Sequence, residues 1–402
     1  MDSSVTTETD VAVIGGGPAG LTTAIALARR GVRTVLVARL APYADNRTTA
    51  LLHASVAVLE ELGAWEACRN AAAPLRTMRL VDDTGRLIRA PELHLDCNEI
   101  GLDAFGYNIE NRILVETLER RATDLPALTR IDENAASIEP SEHNVTVRTQ
   151  QGRTLHVRLA VGADGRNSIC REAAQIGVRK RALDQSALTL NIEHTRPHDA
   201  ISTEFHTAHG PCVFVPLPGN RSSVVWVMRP EDAEWRGALD DDALAREVER
   251  QAHHHLGALR VGPTRHVFPL GIEQADRIAA HRIALVGEAA HVLPPIGAQG
   301  LNLGLRDAAD IGAIAADALL LEQDPGSPAT LQRYERKRRL DIQGRIAVVD
   351  FANRTLLSDF LPAQALRAAG MQALAWSGPM RRFIMRQAIA PLFAAGQNRD
   401  AR

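Results

Sequence analysis

Cysteine is scarce in this 402-residue chain: Cys68, Cys97, Cys170 and Cys212 are its four, far apart and without a CxxC pair. That excludes a disulfide framework, offers neither a zinc site nor a redox dithiol, and fits free thiols in a reducing compartment. No run of about 18 apolar residues survives interruption by Pro, Gly, Arg or acids, so no membrane-spanning helix is expected. The first ten residues carry acids but no basic residue and no apolar core, so neither a secretory nor a transit peptide is expected there. Charge of one sign is not in excess either. Lys+Arg number 46 and Asp+Glu 48, a formal net charge of −2, which speaks against a broad basic field for nucleic acid. What remains is an ordinary globular composition, 45% hydrophobic and 23% charged, long enough for two lobes, and a cytoplasmic protein is the expectation.

The most informative stretch comes first. Val11-Ala12-Val13-Ile14 is a strand-like apolar run leading into Gly15-Gly16-Gly17-Pro18-Ala19-Gly20, then a helical pattern from Leu21 to Arg30 and a second strand, Thr34 to Val37. Glycines at this spacing suit a dinucleotide. Gly15 makes the tight turn, Gly17 lets a pyrophosphate approach the backbone, and Gly20 lets helix and sheet pack closely, with the helix N-terminus facing the anion. The acid that usually ends the second strand and holds the adenosine ribose is missing, because the chain reads Val37-Ala38-Arg39. Arg39 either lies over the adenine or is a solvated loop residue, and the second reading is preferred.

Two later motifs combine with this one. Leu159 to Ser168 is an apolar strand entering a turn with Gly162, Asp164 and Gly165; Arg282 to His291 is another strand and turn with Gly287 and Glu288, continued by Pro294-Pro295 and by Gly297-Ala298-Gln299-Gly300-Leu301-Asn302. In order and spacing they resemble the flavin-dependent aromatic hydroxylases of the hydroxybenzoate-hydroxylase fold, over nearly the whole chain. Arg47 to Leu51 with Leu59 to Gly63, then Gly106 to Asn111, then Gly210 to Pro218 and Val224-Val225-Trp226, look like the ubiquinone-biosynthesis branch of that family. The resemblance implies an α/β fold in which a Rossmann-like FAD-binding lobe (1–75, 104–181 and 269–343) is interleaved with a smaller, mainly β substrate lobe (76–103 and 182–268), followed by a C-terminal helical segment (344–402).

The same resemblance implies FAD as cofactor, held by Gly15, Gly17, Pro18, Ala19, Gly20, Arg39, Asp164, Gly165, Gly287, Glu288, Pro295, Gly297, Gln299, Gly300, Leu301 and Asn302. Arg47 is implied to lie near the isoalloxazine ring, against the plain reading of a surface arginine before a helix. The chemistry implied is monooxygenation: NAD(P)H as electron donor, with a reduced partner protein as the other option, O2 captured as a C4a-hydroperoxide, and one oxygen passed to the ring of a polyprenylated phenol. Departures are visible. Glu288 stands where the family usually has Asp, one methylene longer, and Ala298 replaces a common glycine. A helix starting near Gly300 would offer its positive end to an anionic flavin ring.

Other readings stay open. The substrate could be a soluble aromatic or a secondary metabolite, and a non-catalytic flavin-fold binding protein is a more distant alternative. No catalytic base is assignable from sequence; His291 reads first as a structural residue beside the cofactor loop. His253-His254-His255 is expected on a solvated helix face, without metal. Asp82-Asp83-Thr84-Gly85 reads as a hairpin turn. Near the C-terminus, Leu331 to Leu340 is arginine-rich, and Gly378 to Phe393 mixes cations with large apolar residues at helical spacing. This fits either a helix packed on the body or weak contact with anionic lipid on the inner face of the membrane, alone or within a quinone-biosynthesis complex.

Overall fold

The computed structural model describes residues 9–40, 47–358 and 361–389; the first eight residues and the end of the C-terminal segment, including 390–393, lie outside the described residues. Val11–Ile14, Thr34–Val37, Leu128–Ile131, Leu159–Gly162 and Ile283–Leu285 run parallel in a six-stranded sheet completed by an antiparallel edge strand, Ala279–Ala280. Val11–Ile14 is buried throughout and central, which is why it is apolar at every position rather than alternating. The helices Pro18–Ala28 and Gln299–Leu320 pack against each other, and small residues set how closely. A Cβ on Gly312 would come within 2.8 Å of the Ala26 Cβ, and one on Gly304 within 3.5 Å of the Ala19 Cβ.

A second sheet has eight strands in the order 291–292, 259–275, 178–194, 221–228, 210–217, 201–207, 77–82, 93–96. Two three-stranded sheets accompany these. One joins Thr48–Leu52, Gly106–Glu110 and Ala73–Leu75; the other joins Ala135–Pro140, Val145–Thr149 and Thr154–Val157. The first is fastened to the eight-stranded sheet by polar side chains: Thr48 Oγ1 donates to Ser223 Oγ at 2.8 Å, and Asn108 Nδ2 donates to the Pro216 carbonyl at 2.9 Å. The helices Pro328–Leu357, Leu361–Trp376 and Gly378–Ile389 follow.

Several local expectations are corrected. Asp82 to Gly85 is not a tight hairpin: Leu80 pairs with Leu93, so the connection is long, and the Asp82 carboxylate folds it by accepting the Thr84 and Ala90 amides. The histidine triplet does not sit on a solvated helix face. The helix ends at Gln251, His253 and His254 take positive φ, and His253 stacks on Phe205 with ring centroids 5.1 Å apart. The strand Ile201–Thr207 has no counterpart in the sequence reading.

Candidate functional site

One cavity of about 500 Å³ lies where the six-stranded sheet, the Thr48–Leu52 sheet and the eight-stranded sheet meet. Its first wall is made by two helix starts. The helix Pro18–Ala28 is entered from Gly17 and the helix Gln299–Leu320 from Ala298; neither receives a side-chain cap, so their first-turn amides are left for a ligand. Gly17 and Gly300 both line the cavity, and a Cβ built on either meets nothing within 4 Å. Each helix end carries about half a positive charge, so the wall suits an anion at the first and an electron-rich ring at the second. Gly15 and Gly20 lie behind that wall. Gly15 has φ +114° and a Cβ there would sit 2.3 Å from the Ala163 carbonyl oxygen; a Cβ on Gly20 would sit 2.0 Å from the Gly15 oxygen.

The cavity wall also holds Pro18, Ala19, Arg47, Gly165, Gly287, Glu288, Pro295, Gly297, Ala298, Gln299 and Leu301, and it does not include Gly15, Gly20, Arg39, Asp164 or Asn302. Asp164 is spent on its own turn, accepting the Ser168 hydroxyl at 2.6 Å and the Cys170 amide at 3.1 Å. The Asn302 side chain is fully buried and brackets the helix start: its Oδ1 accepts the Leu52 amide at 2.8 Å, and its Nδ2 donates to the Ala50 and Ala298 carbonyls. Glu288 is half exposed and pairs with Arg166 at 3.4 Å, linking two turns of the wall. Arg39 is exposed. At Ala38, where the ribose acid would end its strand, Arg130 donates to the Ala38 carbonyl at 3.2 Å and forms an ion pair with Glu119. Ala298 sits at φ +55°, ψ +33°, the left-handed region, at a cost of about 1 kcal/mol for a residue with a Cβ.

Behind the Gly287 turn lies a buried charge cluster. Asp307 accepts the Gly287 amide at 3.1 Å, His291 Nε2 at 2.6 Å and Arg338 Nε at 2.7 Å, while Arg338 and Arg306 both reach Asp341. Burial pushes the Asp307 carboxyl upward, but His291 and Arg338 overcome it and hold it at about 2. His291 lines the cavity with its side chain fully buried, and its link to Asp307 favours the structural role.

Opposite the helix starts is a floor that falls within the expected β substrate lobe, although neither the strand Ile201–Thr207 nor the row of facing residues was expected. Leu80, Glu204, Val213, Val225, Thr189 and His266 stand side by side on six adjacent strands, as the pairing registers give them, and all six line the cavity. The signal was weak because Ile201–Thr207 lacks clean alternation of large apolar and polar residues. No metal-holding group of His, Cys, Asp or Glu occurs among the described residues. The open glycine edges, the uncapped amides and the joined sheet floor fit an FAD whose phosphates meet the first helix and whose ring system meets the second.

Comparison with known proteins agrees with this geometry. A family model described as an FAD binding domain matches residues 8–349. The chain is 37% identical to ubiquinone hydroxylase UbiL of Rhodospirillum rubrum over 391 residues, 95% of this chain and 90% of that protein. It is 27% identical to the 3-demethoxyubiquinol 3-hydroxylase of Escherichia coli, over 95% of this chain and 98% of that one. The fold is shared with p-nitrophenol 4-monooxygenase PnpA of Pseudomonas putida, with a TM-score of 0.77 at 20% identity, covering 95% of this chain and 97% of the other.

Proposed function

This chain belongs to the FAD-binding-domain family of flavin-dependent monooxygenases, and from that premise we propose that it hydroxylates the ring of a polyprenylated phenol in ubiquinone biosynthesis. The observation that carries the reading is the single cavity in which two uncapped helix starts face a mainly apolar sheet floor. When bound, FAD supplies the redox chemistry, taking electrons from NAD(P)H in this reading and delivering one atom of O2 to the ring while the other leaves as water. The residues do the rest. Gly17, Pro18 and Ala19 give the pyrophosphate a close backbone approach, with Gly15 and Gly20 keeping that turn tight from behind. Gly297, Gln299, Gly300 and Leu301 present the second helix end to the flavin ring, and Pro295, Gly287, Glu288 and Gly165 shape the wall along the cofactor. Arg47 adds a cation at the cavity edge, while Asp164 and Asn302 act by fixing turns. Leu75, Met78, Leu80 and Phe105 keep the far end of the cavity apolar, excluding water and suiting a prenyl chain.

A cytoplasmic enzyme with weak contact to the inner membrane face completes the proposal. The decisive experiment is a mass-spectrometric quinone profile of cells with and without the chain. Accumulation of a prenylphenol lacking one hydroxyl, restored by the intact chain and not by a Gly15 or Gly17 variant, is the expected result. An unchanged profile in cells with no second hydroxylase would reject the ubiquinone assignment and favour a soluble aromatic substrate.

A further inference from the structure

Glu204 is the one carboxylate on the cavity floor; the other carboxylate lining the cavity, Glu288, belongs to the opposite wall and is paired with Arg166. On the floor its lateral neighbours are Leu80 and Val213, both apolar. Its side chain is 18% exposed, and one oxygen, Oε1, lies 3.0 Å from His206 Nε2. Among the described residues Oε2 has no hydrogen-bond partner. His266, the other titratable group of the row, stands four strands away, roughly 19 Å at the usual inter-strand spacing, too far to neutralise it. A carboxylate kept between apolar side chains is costly unless something donates to it, and an ionised carboxylate can accept about four hydrogen bonds.

We infer that Glu204 Oε2 is the acceptor for a ring hydroxyl of the substrate, with His206 as the positioning residue that holds the carboxylate in place. The inference rests on the aromatic-hydroxylase reading and adds the group that selects among rings. The proton stays on the ring oxygen and is shared with Oε2, so no bond is made or broken in this step. The ligand class is therefore a phenol, and its methyl ether, which has no proton to donate, would desolvate the carboxylate without replacing its partner.

The test uses FAD-loaded enzyme titrated with 2-geranylphenol and with 2-geranylanisole, binding being read from the perturbed absorbance of the oxidised flavin. The wild type is expected to bind the phenol at least about tenfold more tightly than the ether, the range for a hydrogen bond to a charged group. Glu204→Gln, which keeps the shape and loses the charge, is expected to bind the phenol about tenfold more weakly, and Glu204→Leu to bind both ligands alike. FAD content and melting temperature, unchanged in both variants, serve as the folding control. Unaltered discrimination in folded variants overturns the role of Glu204 and leaves the aromatic-hydroxylase reading standing. Failure of both ligands to perturb the wild-type flavin overturns that reading and the inference with it.

Discussion

Asp307 is accepted into the core only because three donors on three elements meet it: the Gly287 amide, His291 and Arg338. Since its folded pKa is about 2, below the ordinary carboxyl value, its contribution to stability is present above about pH 4 and is lost as pH falls toward 2. Asp307→Asn should remove that contribution while leaving Arg338 and His291 buried, at a cost of about 3–5 kcal/mol near neutrality. Urea unfolding at a series of pH values checks it. The wild type should lose stability between about pH 4 and 2, and the variant should be weaker at neutrality and flatter over that interval. Equal stability at neutral pH would mean that the Gly287 turn is held by packing alone. Asp307 stands five residues beyond Asn302, just after the third motif, but its partners come from distant segments, so its role could not be read from local sequence.

Two glycines at the two helix starts, Gly20 and Gly300, separate fold from function by where their missing Cβ would point. On Gly20 a Cβ would meet the Gly15 oxygen at 2.0 Å, so Gly20→Ala should destabilise the first strand-helix unit and lose FAD together with melting temperature. On Gly300 a Cβ meets nothing, so Gly300→Leu should fold normally by circular dichroism and thermal melt yet fail to retain FAD, because the side chain fills the cavity at the second helix start. A Gly300→Leu protein with full FAD content would reject the placement of the flavin ring there. These elements were legible for a local reason: an apolar run, glycines at fixed offsets and a helical pattern lie within thirty residues of one another. The floor was not. Its row of Leu80, Glu204, Val213, Val225, Thr189 and His266 is assembled from six strands whose pairing no local pattern states, and Ile201–Thr207 was invisible as a strand. The helix starting at Gln299 was expected within a residue or so, but the left-handed Ala298 before it was not, since alanine is a poor predictor of that conformation.

Across the molecule, the charge balance that speaks against a nucleic-acid surface conceals uneven regions toward the C-terminus. Residues 361–389 hold four arginines and no acid. The helices Leu361–Trp376 and Gly378–Ile389 are seated through Met371, which packs with Ala90 and Leu93, and through Met385, which packs with Cys97 and Phe105, while Arg381 is fixed by Glu99 at 2.7 Å. Their outer faces are apolar: Trp376 is 83% and Phe383 63% exposed, with Met380 and Ile384 beside them and Arg386 exposed nearby. Phe105, against which Met385 packs, also lines the cavity, as do Met78 and Leu80, so this surface backs the apolar end proposed for the prenyl chain. No helix among the described residues is long and apolar enough to cross a membrane, so lipid contact on this face would be interfacial. Each surface cation adds about 1 kcal/mol toward an anionic bilayer, and that part falls off within a Debye length. The expected behaviour is therefore weak binding to phosphatidylcholine vesicles containing phosphatidylglycerol, less without the anionic lipid and less at high salt. Trp376→Ala with Phe383→Ala should abolish flotation while FAD content stays normal, because neither side chain supports the core. Absence of wild-type flotation at low salt would reject the lipid assignment. If the double variant instead turned a self-associating protein into a monomer in the absence of vesicles, the face would be an interface between copies of this chain, and the prenyl substrate would have to reach the cavity from a carrier rather than from the bilayer.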